Sequence, residues 1–132
     1  MSRLRWYRIW ECLAWLAVLL LILVCLLPMP QIGPEVAGGD KFQHLLSYFL
    51  LTWAHGQLGL SQRQFLLRAL GLFVLGMAIE LAQGLTGYRS SDPADVLANA
   101  VGIAFGVMIA LAAPGYLLRF EQRFLRGKSP AA

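Results

Sequence analysis

The sequence predicts an all-α fold, in which four transmembrane helices form a bundle and a short amphipathic helix follows at the membrane interface. Composition is the first indication: of 132 residues, 58% are hydrophobic and 14% are charged. The second is arrangement, because long apolar runs are separated by short segments rich in glycine, proline and charge. A chain of this length forms one domain. We expect residues 1–113 to be its transmembrane part and residues 114–132 a basic amphipathic cytoplasmic tail.

The first predicted helix follows a collar of basic and aromatic residues. Residues 1–8 contain three arginines, one tryptophan and one tyrosine. About twenty mostly apolar residues then run to Leu27, which is long enough to cross a bilayer. A cleaved signal peptide also has a basic start and an apolar run. Because the nearest small-residue cleavage site, residues 37–39, lies far beyond Pro28, we expect a retained membrane helix.

Three more membrane helices are predicted after a loop over residues 28–39 that holds three prolines and three glycines. They cover about residues 40–60, 64–83 and 93–113. Ser91 and Asp92 are favourable N-cap residues for the last of them. Pro93 suits its first position, since the N–H that proline lacks would have no partner there.

The fourth predicted helix carries small and polar residues on one face. Asp95, Asn99, Gly102 and Gly106 recur at steps of four, three and four residues. Small residues at this spacing allow a neighbouring membrane helix to approach closely. We therefore expect this helix to be the packing centre of the bundle.

The segment after Pro114 and Gly115, which end the fourth helix, is amphipathic. Its apolar side carries Leu117, Phe120, Phe124 and Leu125, and its basic side carries Arg119, Arg123 and Arg126. We expect this helix to lie along the membrane surface, attracted to anionic lipid.

The positions of the basic residues orient the bundle. Four crossings put both termini on one side, and the positive-inside rule assigns that side to the cytoplasm. The basic residues placed inside are then Arg3, Arg5, Arg8, Arg63, Arg68, Arg119, Arg123, Arg126 and Lys128, which leaves Lys41 and Arg89 outside. This predicts a multi-pass protein of the cell inner (cytoplasmic) membrane. Because topology accounts for the net charge of +4, nucleic acid is not an expected partner.

Polar residues of three predicted helices converge at the outer end of the bundle. Glu80 needs a partner, because a carboxylate about one turn inside a membrane is costly unless paired or hydrated. Arg89 and His44 are its nearest candidates. We expect Asp95 to contact His44 or Glu80, and Asn99 to contact the third helix. The set that we call the polar cluster is Asp40, His44, Tyr48, Glu80, Gln83, Arg89, Asp92, Asp95 and Asn99.

Several of these residues also have ordinary structural explanations. Asp40 and Asp92 are suited to cap helices, and Lys41 is suited to extend its ammonium group to the membrane surface. His55, deeper in the second helix, is interpreted as structural. No spacing here is a metal-binding signature such as H-E-x-x-H, so the sequence predicts no metal ligand.

Three motifs carry a family resemblance: D-K-x2-H-x3-Y over residues 40–48, E-x2-Q over residues 80–83, and R-x2-D-x2-D-x3-N-x2-G-x3-G over residues 89–106. They resemble the VanZ-like family of small bacterial membrane proteins, whose named member is associated with low-level teicoplanin resistance. The resemblance implies that the polar cluster is the family signature and that the protein lies in the bacterial cell envelope. It implies no particular chemistry.

The first functional hypothesis is a binding protein whose polar cluster holds a membrane lipid headgroup or a lipid-linked envelope precursor. With His44 neutral, two cations (Lys41 and Arg89) face four carboxylates, which leaves a net charge of −2. A phosphate group would be repelled unless a divalent cation bridged it or an acid took up a proton. Binding of anionic lipid should then depend on a divalent ion or fall with rising pH.

The alternative is a membrane-embedded hydrolase or transferase acting on a lipid-linked phosphate. His44 would be the base or nucleophile, with Glu80 or Asp95 as its orienting acid. Arg89 would clamp the phosphate, and His44 must lie within hydrogen-bond reach of an acid. A proton path is disfavoured, because the inner halves of the third and fourth helices offer no chain of acids or histidines. Whether the protein is an enzyme, and whether it forms a homo-oligomer, stays open.

Overall fold

The fold is all-α, as predicted. The computed structural model describes residues 4–28 and 38–126. Residues 29–37 of the predicted loop over residues 28–39 lie outside the described residues, as do the terminal residues 127–132 and the basic residues Arg3 and Lys128. The helices are α1 (Tyr7–Leu26), α2 (Gly39–Gly56), α3 (Gln62–Leu85), α4 (Pro93–Ala112) and α5 (Tyr116–Arg126).

Three of these helices are long and apolar enough to cross a membrane. They are α1 with 20 residues, α3 with 24 and α4 with 20. The 18-residue α2 is less apolar, because its buried face includes Tyr48, Thr52 and His55. A helix that turns its polar side chains towards other helices need not be apolar all round. The crossing by α2, and with it the side on which each terminus lies, stays a prediction.

Glycines bring α2 and α4 into close contact. A Cβ atom at Gly102 would lie 2.2 Å from the carbonyl oxygen of Leu45, and one at Gly106 would lie 2.9 Å from that of Phe49. Only a residue without a side chain allows backbones to approach this closely in a helix pair. The predicted small-residue face of α4 is confirmed, and it is what places the first turns of α2 and α4 side by side.

The apolar core draws on the first four helices. Its buried residues are Val18, Tyr48, Leu51, Ala69, Leu72 and Ile103. Large apolar side chains such as Leu81 and Leu97 are exposed on the outer surface. In a membrane protein such side chains face lipid, so the small buried core agrees with the apolar composition.

Helix ends follow local capping chemistry, with two corrections to the prediction. Asp92 caps α4 as predicted, its side chain accepting a hydrogen bond from the N–H of Ala94. Gly38, rather than Asp40, is the N-cap of α2, and Asp40 lies within the first turn. A capping box between Ser61 and Gln64 starts α3 two residues earlier than predicted.

The amphipathic helix α5 packs against the beginning of α1. Glu121 is 2% exposed, and its carboxylate accepts hydrogen bonds from the backbone N–H groups of Arg5 (2.8 Å) and Trp6 (3.1 Å). The indole Nε1–H of Trp10 also donates to it, at 2.7 Å. Phe124 stacks edge to face with Trp6. The tail is therefore part of the fold, which its amphipathic pattern alone did not predict.

Candidate functional site

The polar cluster lies where α2 begins, α3 ends and α4 begins. His44, Glu80 and Asp95 each offer one nitrogen or oxygen atom, and these atoms lie within 4.8 Å of one another. Nε2 of His44 is 3.7 Å from Oδ2 of Asp95. The predicted meeting of these three side chains is confirmed, while their roles stay predictions.

Asn99 orients His44. Its Oδ1 lies 3.0 Å from Nδ1 of His44, and since an amide oxygen only accepts hydrogen bonds, Nδ1 carries the proton. The other ring nitrogen, Nε2, is the atom that faces Asp95. Asn99 was expected to contact the third helix. Its hydrogen bond is made to α2, while its amide nitrogen packs against Gly76 of α3.

Lys41 connects the acidic residues of the cluster. Its Nζ lies 2.7 Å from Asp92, 3.2 Å from Asp40 and 3.3 Å from Asp95. Lys41 is therefore part of the polar network, and its position at the membrane surface stays a prediction. Sequence spacing gave no signal for this network, because Asp92 and Asp95 belong to a different helix.

Glu80 is buried, with 3% of its surface exposed. Its Oε1 accepts a 2.6 Å hydrogen bond from the backbone N–H of Asp92. Its Oε2 is buried and has no hydrogen-bond partner among the described residues. The expected pairing with Arg89 is wrong: Arg89 is exposed in the turn before α4 and forms no ion pair among residues 4–28 and 38–126.

Asp92 is held in its charged form by two neighbours. The ammonium group of Lys41, and then the N–H of Ala94, keep the pKa of the Asp92 carboxyl below its ordinary value. Its backbone N–H meanwhile binds Glu80. Asp92 thus joins the end of α3 to the starts of α2 and α4, a role that goes beyond the predicted helix cap.

Two other members of the cluster take different positions. Tyr48 is 1% exposed, and its hydroxyl has no partner among the described residues. Gly76 leaves room for it, since a Cβ atom there would lie 3.0 Å from that hydroxyl. Gln83 donates from Nε2 to the carbonyl oxygen of Cys25 at 2.9 Å. Gln83 is thus occupied in joining α3 to α1.

The enzyme hypothesis requires a hydrogen bond between His44 and an acid. The 3.7 Å between His44 and Asp95 exceeds the N···O distance of such a bond, roughly 2.7–3.2 Å. Asn99 orients the imidazole instead. The hydrogen bond from His44 to Asp95 that the enzyme hypothesis requires is therefore not formed among the described residues.

A second polar group lies at the opposite end of α2. His55 is 1% exposed, and its Nδ1 lies 3.4 Å from Nη1 of Arg68. Nη2 of Arg68 contacts Glu11 of α1 at 2.6 Å, and the ring of Trp15 packs against both His55 and Arg68. These contacts agree with the structural interpretation of His55, whose partners the sequence did not predict. The sequence did contain one signal: His55 lies on the same helix face as Tyr48 and Thr52, which indicates that it faces other helices.

Comparison with known proteins gives one match. Residues 42–118 match the model of the VanZ/LLP1 family. No curated protein and no solved structure matches the chain. The matched range is more than half of the chain and begins just after Lys41. It contains every member of the polar cluster except Asp40 and ends within α5, before Glu121.

Proposed function

Because the chain belongs to the VanZ/LLP1 family, we propose that it is a bacterial envelope protein that binds a phosphate-bearing headgroup. The ligand is a membrane lipid or a lipid-linked cell-wall precursor. The polar cluster faces the outside of the cytoplasmic membrane, and both termini lie inside. Low-level teicoplanin resistance, with which the family's named member is associated, would follow here if the bound precursor were shielded from the drug.

The observation that carries the proposal is the convergence of buried polar groups, in which two oxygens, Oε2 of Glu80 and the hydroxyl of Tyr48, have no partner among the described residues. Glu80, Asp95 and Asn99 are all buried. Buried polar groups are almost always hydrogen-bonded, and one without a partner points to a missing ligand, ion or water. Burying such a group within a membrane is especially costly.

The charges define which ligand is favoured. Lys41 is already engaged by three carboxylates, which makes it a poor phosphate ligand. Arg89 is exposed beside the cluster and is the guanidinium group available to clamp a phosphate. The acidic excess of the cluster opposes a phosphate, so the proposal includes a divalent cation that bridges the two.

The test compares a polyprenyl phosphate with the uncharged polyprenol of equal length, using purified protein in detergent and native mass spectrometry. We expect the phosphate to bind at least tenfold more tightly, and Arg89→Gln to remove most of that preference. Arg63→Gln is the matched control, since Arg63 is also exposed but lies in the first turn of α3, at the opposite end of that helix from Glu80. Phosphatidylglycerol as a third probe separates a general lipid phosphate from a polyprenyl one. Equal binding of phosphate and alcohol would refute the proposal.

A further inference from the structure

We infer that His44, Glu80 and Asp95 form a binding site for a single divalent transition-metal ion, with Zn²⁺ as the preferred ion. The inference deepens the proposed function and rests on it in one respect: the ion supplies the positive charge that a phosphate ligand needs. The binding of the ion itself requires no lipid.

The donor atoms converge from three helices. One atom from each of His44, Glu80 and Asp95 lies within 4.8 Å of the other two. Ligand atoms about 2.1 Å from a Zn²⁺ ion stand roughly 3.0–3.5 Å apart. The 3.7 Å between His44 and Asp95 is too long for a hydrogen bond and close to this separation. Small rotations of the side chains therefore complete the site.

The unpaired oxygen of Glu80 is an independent indication. Glu80 is 3% exposed, and Oε2 has no partner among the described residues although Oε1 is bound by a backbone N–H. A buried carboxylate oxygen without a donor is costly, and a metal ion satisfies it without a proton.

Each proposed ligand has one polar atom held by the protein and another facing the centre. Nδ1 of His44 donates to Asn99, Oε1 of Glu80 accepts from Asp92, and Oδ1 of Asp95 contacts Lys41. Metal-binding histidines usually donate their second nitrogen to such an outer partner, which fixes the ring and leaves the lone pair for the metal. This arrangement explains why Asn99 is buried beside His44.

The choice of ion follows from the donor types. An imidazole together with carboxylates suits Zn²⁺, whereas Mg²⁺ and Ca²⁺ prefer oxygen ligands throughout. Two carboxylates balance the charge of the ion. Three protein ligands leave a fourth position for water or for a phosphate oxygen. The ammonium group of Lys41, 3.3 Å from Asp95, repels a metal ion bound there. Asp40 and Asp92 remain as its partners and offset this repulsion.

The test is a titration of metal-free, tag-free protein in detergent with Zn²⁺ by isothermal calorimetry, without lipid. We expect one Zn²⁺ ion per chain and at least a tenfold weaker affinity for Glu80→Gln and for His44→Gln. Cys12→Ser is the control, since Cys12 offers an exposed thiol on α1, outside the proposed site. Circular dichroism verifies folding. Absence of stoichiometric binding, or equal affinity in Glu80→Gln and the wild type, would overturn the inference.

Visible absorption of the Co²⁺-loaded protein provides a second measurement should Glu80→Gln fail to fold. We expect the ligand-field bands of a Co²⁺ site that includes a nitrogen ligand. These bands should change in His44→Gln and stay the same in Cys12→Ser. Bands that are identical in His44→Gln would contradict the assignment. If the protein binds no Zn²⁺ and still binds polyprenyl phosphate in the presence of a chelator, the metal-site inference is wrong. The proposed recognition of a phosphate headgroup then stands without it.

Discussion

Gly102 shows how a single residue determines the packing of the whole site. A Cβ atom there would lie 2.2 Å from the backbone carbonyl oxygen of Leu45, and backbone cannot move aside as a side chain can. The contact holds α4 against α2 one turn beyond Asn99. Any side chain at this position must therefore separate the two helices that carry His44 and Asn99.

We predict that Gly102→Ala destabilises the protein by about 1–3 kcal/mol, the usual cost of overpacking. Gly71→Ala is the matched control, because nothing lies within 4 Å of its Cβ position on α3. Alanine there should be neutral or slightly stabilising. Thermal unfolding in detergent measures both, and a Gly102→Ala protein as stable as Gly71→Ala would contradict the described helix contact.

The ion pair between Arg68 and Glu11 makes a second prediction at this scale. Their side chains are 22% and 27% exposed, so breaking the pair leaves a partly buried charge. We expect Glu11→Leu and Arg68→Leu each to cost about 1–3 kcal/mol, and the double variant to cost less than either. Unfolding the wild type, the two single variants and the double variant in detergent gives the interaction energy of the pair. A double variant as unstable as the sum of the singles would show that the two residues act independently.

Among the helices, α5 has a structural role that the sequence did not predict: it docks against the start of α1. Its alternating apolar and basic residues predict a surface helix, and they do not reveal that Glu121 is buried against the first turn of α1. The carboxylate accepts hydrogen bonds from the N–H groups of Arg5 and Trp6 just before α1, where negative charge is also favoured by the helix dipole. The last helix of the chain thus fixes the start of the first.

We predict that Glu121→Gln destabilises this contact by about 2 kcal/mol, because a hydrogen bond to a charged group contributes roughly 1.5–3 kcal/mol. Hydrogen exchange should rise in the first turns of α1 and remain unchanged around Asp92. Gln122→Ala, at the exposed neighbouring position, should have little effect. Equal protection of α1 in the two variants would mean that Glu121 contributes nothing to the docking.

At the scale of the whole molecule, the sequence predicts the positions of the helices better than the side-chain contacts between them. Hydropathy and capping residues place the helices within a few residues, since both act locally. The partners of Lys41, Asn99 and Glu80 depend on the relative rotation of separate helices, which no local pattern encodes. The partner of Glu80 is a backbone N–H rather than Arg89, and backbone donors are invisible in a search for opposite charges.

The crossing by α2 is tested by the side on which the connecting segments lie. With Cys12 and Cys25 replaced by serine, we expect single cysteines at Pro28 and Ser90 to react with a membrane-impermeant maleimide applied to intact cells. A cysteine at Gln62 should react only after permeabilisation. Labelling of Pro28 and Gln62 from the same side would show that α2 does not cross.

The polar face of α2 has a consequence for biogenesis. Tyr48, Thr52 and His55 become shielded only when neighbouring helices arrive, and α4, which supplies the glycine contacts, is synthesised last of the four. A nascent α2 would therefore be a poor candidate for release into lipid by itself. We expect the insertion machinery to retain it until α4 emerges, so that the segment bearing His44 enters the bilayer together with its partner.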